Sequence, residues 1–290
     1  MPTEEPAESR VLVNGVSTLY YEAGTGPAVL LLAGVAEDAR SWWEVMQDLA
    51  LTHRVLALSL PGLGGTSPVD DLRPGSLAAF SAAFLEVLGV RESIVIGHSF
   101  GGAVAAYMAL EHPRLVSRLC LVDAAGLGRA INPLLSSIAA LPAPAADLLA
   151  TVATAPGIGA LAALSANVLL RQPWRVPLTV LTAQLQLTRT RLSVRTSIEI
   201  LRVGAGLTGQ KPEYVVLDRL RDITVPALVV WGLTDVLLPV SQGARAARRL
   251  PHGRLEVIRG GGHVCFLDSH EDFMAVLSPF VRDSIDRPRK

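Results

Sequence analysis

The chain alternates short aliphatic runs with longer stretches in which apolar residues recur at helical spacing. Val11 to Val13 and Leu19 to Glu22 flank Asn14-Gly15, a dipeptide suited to two positive φ angles, and so predict an antiparallel hairpin. Ala28 to Ala33 and Val55 to Leu60 are apolar without interruption and end in Gly34 and in Pro61-Gly62, with a helical stretch, Ala39 to Leu51, between them. Strands apolar on both faces belong in the middle of a parallel sheet. The rhythm continues through a helix Leu77 to Leu88, a strand Ser93 to Ile96, a helix Gly101 to Glu111 and a strand Arg118 to Val122. It resumes with a strand Pro226 to Trp231, a helix Ser241 to Leu250, a strand Leu255 to Arg259 and a closing helix Glu271 to Ser284. The pattern predicts an α/β fold: a mostly parallel eight-stranded sheet with helices on both faces.

Between Gly126 and Lys211 the alternation fails, and alanine and leucine recur at helical spacing with no run of β-branched residues. This divides the chain into a core, residues 1–125 and 212–290, and an inserted helical cap, residues 126–211. The uncharged stretch Leu148 to Leu170 would cross a bilayer if it were one helix, but Pro156, Gly157 and Gly159 interrupt it. A pair of apolar helices facing a pocket is expected there, and no stable membrane insertion. The cap carries eight basic residues (Arg129, Arg171, Arg175, Arg189, Arg191, Arg195, Arg202, Lys211) against two acidic ones, Asp147 and Glu199. The spacing of Arg191, Arg195 and Arg202 reads as a solvated helix face; an arginine turned into the pocket would instead hold a substrate carboxylate.

Half of the residues are hydrophobic and 18% are charged, so the chain can bury a large core. Its 26 basic and 26 acidic residues cancel, which leaves no global attraction to nucleic acid or acidic lipid and makes a small molecule the expected partner. The oligomeric state stays open. Two cysteines, Cys120 and Cys265, are too few for a disulfide framework. Glu4, Glu5 and Glu8 give the N-terminus the wrong pattern for a secretory signal, from which a cytoplasmic location is expected. Gly62-Leu63-Gly64-Gly65 lacks the lysine of a phosphate loop, no dinucleotide fingerprint follows the first strand, and no ligand set has zinc spacing. Neither cofactor nor metal is expected.

Gly97-His98-Ser99-Phe100-Gly101 follows a strand and opens a helix, the context in which G-x-S-x-G forms a nucleophile elbow. Ser99 would then stand at a helix N-terminus, where partial positive charge favours a developing anion. A serine hydroxyl needs a base, and the base needs a partner that fixes its tautomer. Asp235 follows the strand ending in Trp231-Gly232, and His263 follows Gly260-Gly261-Gly262 after the strand ending in Arg259. Both lie just past carboxyl ends of strands, where open parallel sheets gather their ligands. His98 reads as structural; His53, His112, His252 and His270 read as surface residues, and Trp42 and Trp43 as packing or pocket wall.

With Leu30 to Val35, Leu60 to Ser67, the elbow, Gly232 to Asp235 and Gly260 to His263, the chain resembles the cap-bearing serine hydrolases of the α/β-hydrolase superfamily over nearly all of its length outside the insertion. The resemblance implies Ser99 as nucleophile, His263 as base and Asp235 as the orienting acid, in the chain order of that fold. Asp123, directly after the strand Arg118 to Val122, is the rival acid, because some members place it there. The resemblance also implies an oxyanion hole from the backbone N–H groups of Val35 and Phe100; beside it a substrate pocket walled by Gly34, Trp174 and Val264 is expected, with Trp174 read, like Trp42 and Trp43, as packing or pocket wall. Two positions depart from the family: Ala33 stands for the usual histidine before the glycine, and Ser59 for the usual aspartate before the Pro-Gly loop. Both bear on loop geometry. A serine nucleophile sets aside dehalogenase and epoxide-hydrolase chemistry, which needs a carboxylate there. The expected activity is hydrolysis of an apolar carboxylic ester, lactone or thioester through an acyl-enzyme. The alternatives are a carbon–carbon hydrolase of ring-cleavage products, whose usual tryptophan after the histidine is Val264 here, and a non-hydrolytic ligand sensor of the same fold.

Overall fold

The computed structural model describes residues 5–155, 157–158 and 178–282. Ten strands are present among them: β1 (Ala7–Val13), β2 (Val16–Ala23), β3 (Ala28–Leu32), β4 (Arg54–Leu58), β5 (Ser93–His98), β6 (Val116–Val122), β7 (Ala205–Gly206), β8 (Gly209–Gln210), β9 (Ala227–Gly232) and β10 (Gly253–Ile258). Eight form one sheet in the order β1-β2-β4-β3-β5-β6-β9-β10. β1 pairs antiparallel with β2 and β2 antiparallel with β4; every later neighbour is parallel. The entry hairpin turns at Asn14 and Gly15 with φ of 49° and 81°, the two positive angles its sequence favours.

The parallel strands are buried on both faces because helices cover both. Side chains alternate across a strand, so each aliphatic run feeds two cores. Leu30, Leu32, Leu56, Leu58 and Val95 face a cluster with Phe84, Val104 and Trp231. Val29, Leu31, Val55, Ile94 and Ile96 face the opposite cluster, with Trp42, Met46, Phe266 and Phe273. Helices α2 (Pro74–Val87), α3 (Ser99–Glu111) and α8 (Val240–Arg249) pack on the first face; α1 (Trp43–Leu49), the short α9 (Cys265–Asp268) and α10 (His270–Arg282) pack on the second. Each fully buried leucine or phenylalanine stabilises the fold by about 1.5–3 kcal/mol relative to exposure.

The stretch between β6 and β9 holds α4 (Pro133–Ala139), α5 (Ala143–Ala153), α6 (Leu178–Arg189) and α7 (Arg191–Gly204). Ala146, Ala150 and Ile198 form a small core of their own between α5 and α7. β7 and β8 lie here as well and pair antiparallel from Ala205 to Gln210. Gly209, the first residue after the turn, takes φ 107°, and two-residue strands leave no apolar run to detect. Among the described residues no single helix is long and apolar enough to cross a membrane; Pro156 and the part of Leu148 to Leu170 beyond Ile158 lie outside them.

Two further expectations change. The helix Ala39 to Leu51 is a 3₁₀ turn, Ala39–Trp42, followed by α1; the carboxylate of Asp38 accepts the N–H of Arg40 and caps the turn. His53 is fully buried rather than on the surface, its Nδ1 2.8 Å from the Thr52 hydroxyl, because the strand entering at Arg54 carries it inward. Cys120 and Cys265 are free and buried.

Candidate active site

β5 hands over to α3 within one residue. His98 keeps an extended backbone, whereas Ser99 takes φ of 50°, a left-handed conformation that costs a non-glycine residue about 1–3 kcal/mol. Such a turn needs small neighbours. A Cβ on Gly97 would collide with the backbone of Gly101, and one on Gly101 would collide with the carbonyl oxygens of Leu32 and Ala33. The elbow is thus wedged against the end of β3, and Ser99 projects from the first turn of α3.

Three strand-end loops converge there. The Oγ of Ser99 lies 3.0 Å from Nε2 of His263, and Nδ1 of His263 lies 2.9 Å from Oδ2 of Asp235. The other carboxylate oxygen of Asp235 accepts the backbone N–H groups of Leu237 at 2.7 Å and Leu238 at 3.0 Å. The Asp235 side chain is fully shielded from solvent, and that of His263 is 6% exposed. Hydrogen positions follow from these partners: Nδ1–H donates to the carboxylate, which leaves Nε2 to accept the serine proton. The arrangement can lift a proton from Ser99 while a buried anion stabilises the resulting imidazolium.

The loop after β3 lies against Ser99. A Cβ on Gly34 would stand 3.0 Å from the Cβ of Ser99. Val35 follows, then Ala36 at φ 59° turns the chain away. Phe100 is buried in the first turn of α3, where N–H groups have no intrahelical acceptor. Of the two residues expected to supply oxyanion donors, Phe100 follows Ser99 in the chain and Val35 follows Gly34, which lies against it. Val264 is half-buried and shares a cavity of about 30 Å³ with Glu37, Val180, Leu187 and Leu267, room for little more than a water. Trp174 lies outside the described residues, as do Arg171 and Arg175.

Asp123 does not meet the histidine. Its Oδ1 accepts the N–H of Gly232 at 2.7 Å. Burial, and then the nearby Asp235 carboxylate, hold its carboxyl well above the ordinary range. Trp42 is packing, stacked on Phe266 with ring centroids 4.0 Å apart, and Trp43 meets Tyr21 edge-on. Among the described cations between β6 and β9, Arg189 and Arg191 are exposed, Arg195 reaches Asp147 at 3.5 Å, and Arg202 reaches Glu199 at 3.7 Å. Arg129 donates to the Thr208 hydroxyl, and the Lys211 ammonium to the Arg202 carbonyl.

One group escaped sequence reasoning. Glu37, three residues beyond Gly34, turns back to the elbow and meets Nδ1 of His98 at 3.0 Å. His98, which reads as structural in the sequence, reaches the main chain of His263. No motif marks Glu37, and its only signal is a carboxylate close behind the glycine of the loop after β3.

The chain belongs to the alpha/beta hydrolase fold family, whose model matches residues 27–269. More particularly, it is 30% identical over 277 residues to an uncharacterized protein of Mycobacterium tuberculosis, covering 93% of this chain and 79% of that one. It is 26% identical over 271 residues to the 2-hydroxy-6-oxo-6-phenylhexa-2,4-dienoate hydrolase of Comamonas testosteroni, covering 91% of this chain and 90% of that one. The enol-lactonase from Burkholderia xenovorans LB400 shares the fold with a TM-score of 0.75 at 19% identity, over 94% of this chain and 98% of that one.

Proposed function

We propose that this protein is a serine hydrolase that cleaves an apolar carboxylic ester, lactones and thioesters included. The observation that carries the reading is the continuous hydrogen-bonded path from Ser99 Oγ through His263 to Asp235 at a strained strand-to-helix turn. Ser99 attacks the acyl carbonyl as His263 takes its proton. The oxyanion forms against the N–H groups of Val35 and Phe100, and His263 returns the proton to the leaving alcohol. A water activated by the same histidine then releases the acid. The helical stretch between β6 and β9 serves as a cap over the acyl group.

The apolar preference rests on the cap. Val180 and Leu187 of α6 line a small cavity with Val264, the residue after His263, whereas the described arginines between β6 and β9 are exposed or engaged with Asp147 and Glu199. A second reading, hydrolysis of a carbon–carbon bond in a ring-cleavage product, draws on the likeness to the Comamonas testosteroni hydrolase. It requires a cation for the substrate carboxylate and contends with valine at position 264.

The test is a matched series of p-nitrophenyl esters, neutral and ω-carboxylated, with fluorophosphonate labelling of Ser99. Longer neutral acyl chains should raise kcat/KM by up to about 0.8 kcal/mol per buried methylene. A carboxylate should lower it, because the charge would be buried without a partner. Preference for the acids revives the second reading; absence of both label and turnover sinks the hydrolase and favours a ligand sensor.

A further inference from the structure

The loop that should carry one oxyanion donor lacks the histidine its family uses as a brace, since Ala33 occupies that place. A different brace is built beneath it. His98 is fully buried, and each of its ring nitrogens faces an acceptor. Nε2 lies 2.8 Å from the carbonyl oxygen of His263, which can only accept, so Nε2 carries a proton. Nδ1 lies 3.0 Å from Oε1 and 3.2 Å from Oε2 of Glu37. Oε2 of Glu37 also receives the N–H of Gly34 at 3.3 Å and the hydroxyl of Ser41 at 3.2 Å. Three donors thus converge on one carboxylate while one imidazole spans two acceptors.

We propose that Glu37 and His98 are a second carboxylate–imidazolium pair, in which the imidazolium holds the main chain of His263 and the carboxylate holds the oxyanion loop. Both are positioning residues. The pair joins the loops after β3 and β10 through the last residue of β5, so it sets the separation between the donor at Val35 and the base at His263. A buried ion pair is tolerated where hydrogen bonds satisfy both members, as they do here. The groups facing His98 are Glu37, the His263 ring with centroids 4.9 Å apart, and Asp123 at the end of β6; Trp42 and Phe266 close the site with uncharged rings. Burial alone would lower the affinity of His98 for its second proton, but the Glu37 carboxylate reverses this and raises its pKa to about 9. Burial opposes the Glu37 charge in the same way, and His98 outweighs it, holding the carboxyl below its ordinary value.

The inference rests on the hydrolase reading for its kinetic consequence but not for its charge, and the experiment has one arm for each. In the full chain with ¹⁵N-labelled histidine, His98 should show two protonated ring nitrogens from about pH 6 to about pH 8, and Glu37→Gln should remove one of them. A neutral His98 in the parent over that range overturns the pair. On a neutral p-nitrophenyl ester, Glu37→Gln and His98→Asn should each lower kcat by ~10-fold or more at unchanged KM, since a small misplacement of loop and base suffices. The double variant should be no slower than either single one, and Glu37→Asp should restore part of the rate. The parent should also lose kcat above about pH 9 as His98 gives up its proton, and the variants should lack that limb. Additive losses, a change in KM alone or an alkaline limb retained in both variants overturns the positioning role. A parent that neither labels at Ser99 nor turns over esters removes the hydrolase reading, and the ring-nitrogen spectrum then decides the pair by itself.

Discussion

The carboxyl of Asp123 and the backbone N–H of Gly232 meet at 2.7 Å, which ties the end of β6 to the end of β9 three residues before Asp235. One carboxyl therefore fastens the loop and the other meets the histidine. Asp235→Asn should lower kcat on a neutral ester by ~10⁴-fold, because the amide favours the wrong histidine tautomer. Asp123→Asn keeps an acceptor for Gly232 and should cost far less. Steady-state kinetics on the two variants decides between them, and the reverse ranking would move the orienting role to Asp123.

Asp123 should also leave a mark on stability. Burial, and then the Asp235 carboxylate, raise its pKa, so the folded chain keeps a proton that the unfolded chain releases near pH ~4. Its contribution is complete below about that pH and is lost as pH rises towards the folded-state value. Asn cannot ionise. Denaturant melts of Asp123→Asn should therefore gain on the parent as pH increases above about 4, and parallel curves would mean that Asp123 is already ionised in the folded chain.

Ser99 offers a paired test, since its φ of 50° favours glycine. Ser99→Ala should abolish turnover, by at least ~10⁴-fold in kcat, with no gain in stability because alanine keeps the strain. Ser99→Gly should be equally inactive and more stable by about 1 kcal/mol, roughly 2 °C in a protein of this size. Calorimetry giving equal Tm for the two variants would remove the strain argument.

Gly34 should be sensitive in activity more than in folding. A Cβ there would stand 3.0 Å from the Ser99 Cβ and 3.1 Å from both Glu37 Oε1 and His98 Nδ1, so each must yield by a few tenths of an ångström. Gly34→Ala should cost about 1–3 kcal/mol of stability and lower kcat by ~10-fold or more. Full activity with unchanged Tm would show that the loop has slack.

Local pattern was enough for the sheet and the elbow. Uninterrupted aliphatic runs such as Ala28 to Leu32 must be buried on both faces, which dictates central parallel strands, and Gly97 and Gly101 around Ser99 announce a turn too tight for larger residues. That Asp235 and His263 lie at one edge of the sheet was legible because each follows a strand within a few residues, and strand ends of a parallel sheet share one edge. His53 was misread because a lone histidine carries no periodicity; only the packing beneath β4 decides that it is inside. The pairing of Glu37 with His98 was illegible for the same physical reason. It spans 61 residues, and no local spacing relates a carboxylate on one strand-end loop to an imidazole on another strand until the sheet has set β3 beside β5. Which of Asp123 and Asp235 stands next to His263 likewise belonged to tertiary structure. Both carboxylates end adjacent strands, and the backbone N–H of Gly232 engages one and leaves the other for His263.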